Sequence, residues 1–333
     1  MASRLLCEID LEAPGKRTGF LRLPHSTHES AYGWIPIPIA VIANGRGPTI
    51  LLSGGNHGDE YEGQIALGRL IREVEPGQVS GRIIVLPALN FPAARAGRRT
   101  SPIDGGNLNR SFPGVAGGTV TQQIAHHVDS VILPLCDAVV DLHSGGSSLM
   151  YTPSALARRG DPAVFEKQMA MLRAFGAPHS YIVQPGGIWG GTLSDACGQR
   201  RIPQIGTELG GAGHATPETI GVAERGIAGV LRQLGIADLA WDDGKPRRTR
   251  LLAVGGPDYF VHAPDPGVFE PLAEPGEEVK AGQPAGRLHQ TEIPWRDPVT
   301  VRFARDGVVL VKRWPGMTAR GDCLFHLGSD IEA

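Results

Sequence analysis

The chain of 333 residues contains only four cysteines, and aromatic residues make up just 6% of it. Cys7, Cys136, Cys197 and Cys323 are widely scattered and form no Cys-x-x-Cys pair. That argues against a disulfide framework and against a thiolate zinc site. No apolar run approaches the ~20 residues of a membrane span. Met1 to Pro14 carries Glu8, Asp10 and Glu12 and lacks the apolar stretch of a secretory signal. An excess of either charge is also missing, since 34 acids against 32 bases leave a net charge of −2. Without long like-charge blocks, nothing resembles the footprint of a nucleic-acid binder. The densest basic run, Lys245-Pro246-Arg247-Arg248-Thr249-Arg250, is short and reads as a solvated linker at a domain junction. These absences leave a cytoplasmic protein with neither nucleic acid nor membrane as partner.

Glycine and proline are abundant instead, with 46 and 27 residues, both above the ordinary usage of roughly 7% and 5%. No three-residue glycine period is present, and 41% of the chain is apolar, so the composition describes a sizeable core bounded by many tight turns. Short apolar runs at Thr49–Ser53, Arg82–Leu86, Ala138–Leu142 and Tyr181–Val183 predict strands buried on both faces, as in a largely parallel sheet. Trp34–Ile42 is also apolar, but its prolines suit an edge strand. Helical patterns lie between these runs. Glu60–Val74 brings Ile65, Leu67, Leu70, Ile71 and Val74 towards one stripe, and 119–133, 161–175 and 216–234 behave similarly. Thr216-Pro217-Glu218 opens the last of these with an N-cap residue and a first-turn proline.

This alternation predicts an α/β domain over residues 1–250. From about residue 250 short β-like pieces separated by turns replace it, so 251–333 is expected to be a small C-terminal all-β domain. The stretch 275–282 looks like a turn of lipoyl or biotinyl barrel-sandwich domains, yet no lysine stands at a hairpin tip in the carrier motif, and Lys280 precedes a turn glycine.

The chemistry concentrates where predicted strands end. Gly54-Gly55-Asn56-His57-Gly58-Asp59-Glu60 follows a buried strand and opens a helix. His57 and Glu60 can reach one point across that turn, and an imidazole with a carboxylate makes a good zinc chelate. His-x-x-Glu is common, and the bland alternative is a solvated first helical turn. The C-terminal edge of a sheet strand, however, is where open α/β folds place their ligands. His143 closes the run Val139-Val140-Asp141-Leu142 and precedes Gly145-Gly146. As a third ligand it would complete two imidazoles and one carboxylate, leaving a coordination position for water; otherwise it is a core histidine. Asp141 could orient a ligand histidine from the same strand.

Glu208, ending another short strand, could act as general base and then acid beside that water; an exposed strand-end glutamate is the plain alternative. In the loop Arg98–Gly114, Asn109-Arg110 could hold an anionic substrate group, and Arg99 could stabilise a developing oxyanion. An Arg-rich surface loop is the plain alternative. His214, shortly after Glu208, either lines the pocket or begins a helix.

Gly-Asn-His-Gly-Asp-Glu, Asn-Leu-Asn-Arg-Ser-Phe-Pro-Gly, Asp-Leu-His-Ser-Gly-Gly and the late Glu208 stand in the order found in the succinylglutamate desuccinylase/aspartoacylase family, which the chain resembles over roughly residues 35–235. The β tail resembles that family's C-terminal domain. The resemblance implies a zinc carboxypeptidase-like fold, with a mixed, largely parallel sheet flanked by helices. It also implies one zinc ion per chain on His57, Glu60 and His143, with Glu208 as base and an N-acyl amino acid as small-molecule substrate. Asn109 and Arg110 would then hold the substrate carboxylate, and an arginine before them the oxyanion.

Pro102–Gly106 lengthens the arginine loop relative to aspartoacylase-like members, which leaves Arg98 open beside Arg99. The longer loop and Asn-His-Gly-Asp-Glu-Tyr-Glu-Gly look most like the ectoine-degradation branch of Nα-acetyl-L-2,4-diaminobutyrate deacetylases. Such a substrate calls for a pocket acid to meet its side-chain ammonium, with Glu292, Asp195 and Asp104 as candidates. Homo-oligomerisation stays open. The rival readings are a carboxypeptidase-like peptidase on the same centre, a non-haem iron oxygenase and a non-catalytic binding module.

Overall fold

The computed structural model describes residues 3–184, 190–242, 245 and 247–331; Pro246 of the basic run lies outside them. Up to residue 254 the strands are β1 (Leu6–Cys7), β2 (Gly15–Pro24), β3 (Trp34–Asn44), β4 (Thr49–Gly54), β5 (Gly81–Leu86), β6 (Ala138–Leu142), β7 (Leu149–Tyr151), β8 (Ser154–Arg158), β9 (His179–Val183), β10 (Gln204–Glu208) and β11 (Arg250–Val254). The helices are α1 (Tyr61–Glu73), α2 (Phe91–Ala96), α3 (Val120–His127), α4 (Pro162–Phe175), α5 (Leu193–Gln199) and α6 (Pro217–Gln233).

The main sheet runs β1-β2-β3-β5-β4-β6-β10-β8-β9-β11. Its centre, β5-β4-β6-β10, is parallel, and β8 enters antiparallel to β10. Alternation along each central strand supplies two cores. Ile50 and Leu52 of β4 join Ile42, Ile83 and Val140 on the face covered by α1, α4 and α6. Leu51 joins Val41, Ile84 and Val139 on the face that packs residues of α3 and α5, including Ile124 and Leu193. Because both faces are covered, β4 reads as a continuous apolar run, and each fully buried Leu or Ile contributes roughly 1.5–3 kcal/mol.

Three expectations are corrected in detail. β3 is not an edge strand, since β2 flanks its whole length and β5 pairs with Ala40–Asn44. Pro36 and Pro38 lie in the half that β5 does not reach, where a missing N–H leaves no ladder bond unmade. The helix from 119 becomes a wider π turn at Val128–Ile132 and a 3₁₀ turn at Leu133–Leu135. Pro134 accounts for that change, because it lacks the helical donor and its ring crowds the carbonyl one turn back. On α1, Leu67 and Leu70 are buried and Val74 just beyond it is too, whereas Ile65 is exposed. The caps are as the sequence suggests: Thr216 accepts from the N–H of Thr219 at the start of α6.

The remaining strands are β12 (Phe260–His262), β13 (Gly267–Pro271), β14 (Glu278–Val279), β15 (Pro284–His289), β16 (Val299–Arg302), β17 (Gly307–Arg313), β18 (Met317–Thr318) and β19 (Cys323–Asp330). β16-β15-β13-β18 form a separate four-stranded sheet, whereas β14, β17 and β19 prolong the main sheet through β11, with β12 also paired to β19. This module has its own core, in which Phe269 and Phe303 pack edge-on against Phe325. β17 also pairs with β7, setting Val311 opposite Tyr151. Lys280 is held by Asp306 at 3.0 Å. The four cysteines are unpaired, and no helix among the described residues is long and apolar enough to cross a membrane.

The turn after β4 is closely packed. Gly55 has φ +65°, and a Cβ on Gly58 would lie 2.0 Å from the carbonyl carbon of Ala93 in α2. Backbone cannot yield there as a side-chain tip can, so Gly58→Ala is expected to cost about 3 kcal/mol, the upper part of the range for overpacking. Urea unfolding measures this, and an unchanged midpoint would refute the close approach.

Candidate metal centre and active site

The parallel register sets β4, β6 and β10 to end along one edge. Ser53 is level with Asp141, and Gly54 with Leu142; Gly206 is level with Asp141 on the other side. His143 and Glu208 therefore emerge side by side, and the Leu209 N–H donates to the His143 carbonyl at 3.0 Å. Glu60 is the N-cap of α1, yet its side chain makes no capping bond. It turns instead to His57 Nδ1, at 2.7 Å from Oε1, and to His143 Nδ1, at 2.8 Å from Oε2. The three buried residues bring ligand atoms within 4.8 Å of one another, a group able to hold a metal ion.

The outward nitrogens show how that group is charged. His143 Nε2 lies 2.7 Å from Asp141 Oδ2, and His57 Nε2 lies 3.2 Å from Asn107 Oδ1. Both nitrogens of His143 face carboxylate oxygens, so the ring donates at each end, and a cation on the cluster would take the place of the Nδ1 proton; His57 sets Nδ1 on Glu60 and Nε2 on Asn107. A divalent cation fits such a set, with outer oxygens fixing the tautomers.

The electrostatics are those of a buried ion pair. Burial alone would raise the Glu60 carboxyl, but the neighbouring His57 and His143 hold it well below the ordinary carboxylate range. Burial alone would lower His143, but Asp141 and Glu60 hold its imidazole well above the ordinary value. Burial lowers His57.

The arginine loop is pinned to this turn by the Gly58 N–H, which donates to the Arg98 carbonyl at 2.9 Å. Of the two arginines left open by the sequence, Arg99 is the one at the cluster. Its Nη1 lies 3.3 Å from His57 Nδ1 and 3.6 Å from Glu60 Oε1. Asn109 receives the Leu193 N–H on Oδ1 at 3.0 Å and turns Nδ2 towards His143 Nε2, 3.4 Å away. Arg110 donates to the Asn109 carbonyl at 2.6 Å. Burial, followed by the like charges of Arg99 and Arg158, lowers its guanidinium, and Asp195 partly offsets them. Glu208 is raised well above the usual carboxyl value, first by burial and then by the charge of Glu60. Its Oε2 is enclosed without a hydrogen-bond partner.

One cavity of about 570 Å³ is lined by His57, Glu60, His143, Arg99, Asn109, Arg110 and Glu208 together. His214 is not on its wall: it is exposed, Nδ1 lies 3.2 Å from the Ala212 carbonyl oxygen, and its ring faces Trp314. The left-handed turn at Ala212 and Gly213 carries the chain away before α6 begins. The candidate ammonium acids are elsewhere too. Asp104 accepts the Thr121 N–H and hydroxyl, both at 2.8 Å, and so anchors the lengthened loop. Asp195 caps α5 through Thr192 and pairs with Arg158 at 3.1 Å. Glu292 is exposed and does not line the cavity.

Sequence reasoning missed Asn107 as the outer partner of His57, although it begins the same Asn-Leu-Asn-Arg motif. It also missed Asp59, whose carboxylate accepts the N–H and hydroxyl of Ser147, both at 2.8 Å. The wall residues Tyr151, Arg158, Tyr181, Phe260 and His326 carried no local motif.

The fold and this edge define a class. The family model of the succinylglutamate desuccinylase/aspartoacylase catalytic domain matches residues 46–234, and the chain belongs to that family. More particularly, it is 39% identical to the N-alpha-acetyl-L-2,4-diaminobutyric acid deacetylase of Halomonas elongata, over 99% of this chain and 96% of that protein. The product-bound structure of the ectoine utilization protein EutE (DoeB) from Ruegeria pomeroyi matches with a TM-score of 0.94 at 39% identity, covering 99% of this chain and 100% of that one. A succinylglutamate desuccinylase/aspartoacylase from Rhodobacter sphaeroides matches with a TM-score of 0.93 at 41% identity and the same coverage.

Asp141 fixes the His143 ring, so Asp141→Asn is expected to weaken metal binding by about 10–100-fold. Competition with a chelator of known affinity reads this directly, and wild-type affinity in the variant would count against the orienting role.

Proposed function

We propose that the protein is a zinc-dependent amidohydrolase that removes the acetyl group from Nα-acetyl-L-2,4-diaminobutyrate, releasing L-2,4-diaminobutyrate and acetate in ectoine degradation. The observation that carries this reading is the shared cavity, where a His57–Glu60–His143 donor set, a buried carboxyl and a cationic patch meet. The full-length similarity to the Halomonas elongata deacetylase supports the choice of substrate. A zinc ion on the three donors would supply an acidified water and polarise the acyl carbonyl.

The chain's own residues do the rest. Glu208 takes a proton from the attacking water and returns it to the nitrogen of the departing α-amine as the C–N bond breaks. Its place on the cavity wall and its enclosed, unpartnered Oε2 suit a group that exchanges a proton with the reacting atoms. Arg99, beside the donor set, faces the charge that develops on the carbonyl oxygen. The α-carboxylate enters between Asn109 and Arg110. There it relieves the crowding of Arg110 by Arg99 and Arg158, so the site favours an N-acyl amino acid over a simple amide.

A hydrolysis panel tests the reading: acetyl-diaminobutyrate should exceed acetyl-aspartate and succinyl-glutamate in kcat/KM, and preference for either competitor would reassign the substrate. Glu208→Gln should keep one zinc per chain by elemental analysis yet lose about 10²–10⁴-fold in kcat; a variant that stays active would remove Glu208 from the proton's path. Arg110→Ala should raise KM for acetylated amino acids about tenfold or more. An equal effect on a carboxylate-free amide would contradict its assigned contact.

A further inference from the structure

The three acids that could meet a side-chain ammonium all lie elsewhere, so the far wall of the cavity must be read for what replaces them. That wall comes from the C-terminal module. Its carboxylate, Asp322, is already paired with Arg313 at 2.9 Å and accepts the Ala319 N–H at 2.8 Å. Beside it, His326 of β19 stacks on Phe260 of β12, with ring centroids 4.2 Å apart and planes 4° from parallel. Tyr181 meets the same imidazole edge-on at 6.4 Å.

His326 lines the cavity and is 8% exposed. Its Nε2 has no hydrogen-bond partner, although buried polar atoms are almost always paired. Burial lowers its pKa to about 4, so the ring is neutral near pH 7 and has a lone pair to offer. A neutral acceptor of this kind can take a hydrogen bond from an ammonium group through its lone pair.

We propose that His326, held by the Phe260 stack and flanked by Tyr181, is the specificity residue that receives the side-chain amino group of the substrate. This rests on the deacetylase reading above and adds to it the contact that distinguishes diaminobutyrate from an amino acid with an apolar side chain. A carboxylate is not needed there, because a hydrogen bond from a charged donor to a neutral, enclosed acceptor is itself among the stronger kinds.

The test compares two substrates of the same carbon skeleton, Nα-acetyl-L-2,4-diaminobutyrate and Nα-acetyl-L-2-aminobutyrate, on the zinc-loaded full chain. The wild type should favour the first by about tenfold or more in kcat/KM. His326→Phe, which keeps an aromatic ring on Phe260, should collapse that ratio towards one, mainly through KM of the amine-bearing substrate. His326→Gln, with an amide oxygen as acceptor, should restore part of it. A wild-type ratio near one overturns the proposal without any variant. So does a ratio that His326→Phe leaves intact, or a loss of equal size on both substrates. Each of these results leaves the deacetylase reading standing, whereas a wild type that hydrolyses neither substrate defeats that reading and this inference with it.

Discussion

A buried carboxylate between two parallel strands is the constraint on which the rest depends. Asp141 is 2% exposed, and an isolated charge at such a position would be prohibitive. Its partners are the residues that must be held still: Ser53 at the end of β4 donates at 2.7 Å, Asn56 in the following turn at 3.0 Å, and His143 lies at 2.7 Å. Satisfying that one charge ties the end of β4, the His57 turn and the end of β6 into a single unit. The arginine loop rests on the same unit through Gly58, so the elements converge on the cluster before any ligand is considered.

The extent to which this was legible in the sequence follows the range of the interactions. Strands buried on both faces announce themselves as apolar runs, so Thr49–Gly54 and Ala138–Leu142 could be read directly. The residues just beyond them, His57, Glu60 and His143, could be placed on the sheet edge because strand ends are where ligands gather. Asn109-Arg110 could be singled out because its chemistry is local, and the fold sets both residues on the cavity wall.

Elsewhere tertiary context decided. The prolines of Trp34–Asn44 suggested an edge, but a strand can be central over one half and open over the other. His214 follows Glu208 closely in sequence, yet one left-handed turn removes it from the cavity. Asp104 and Asp195 carry the right charge, but capping and loop anchoring already use their oxygens. No spacing rule connects Phe260 and His326 to a motif more than a hundred residues earlier, since only antiparallel pairing of β12 with β19 brings their rings together.

The hydrogen-bonded continuity of the sheet has a consequence for motion. The module that supplies the far wall is joined by β11 to β19 and by β7 to β17. Tilting it away would break ladder bonds at both seams, each worth about 0.5–1.5 kcal/mol net, and would open the apolar contact of Leu252 and Tyr181 with Val308 and Leu310. Among the described residues, the far wall is therefore welded to the main sheet by paired strands rather than hung from it on a linker.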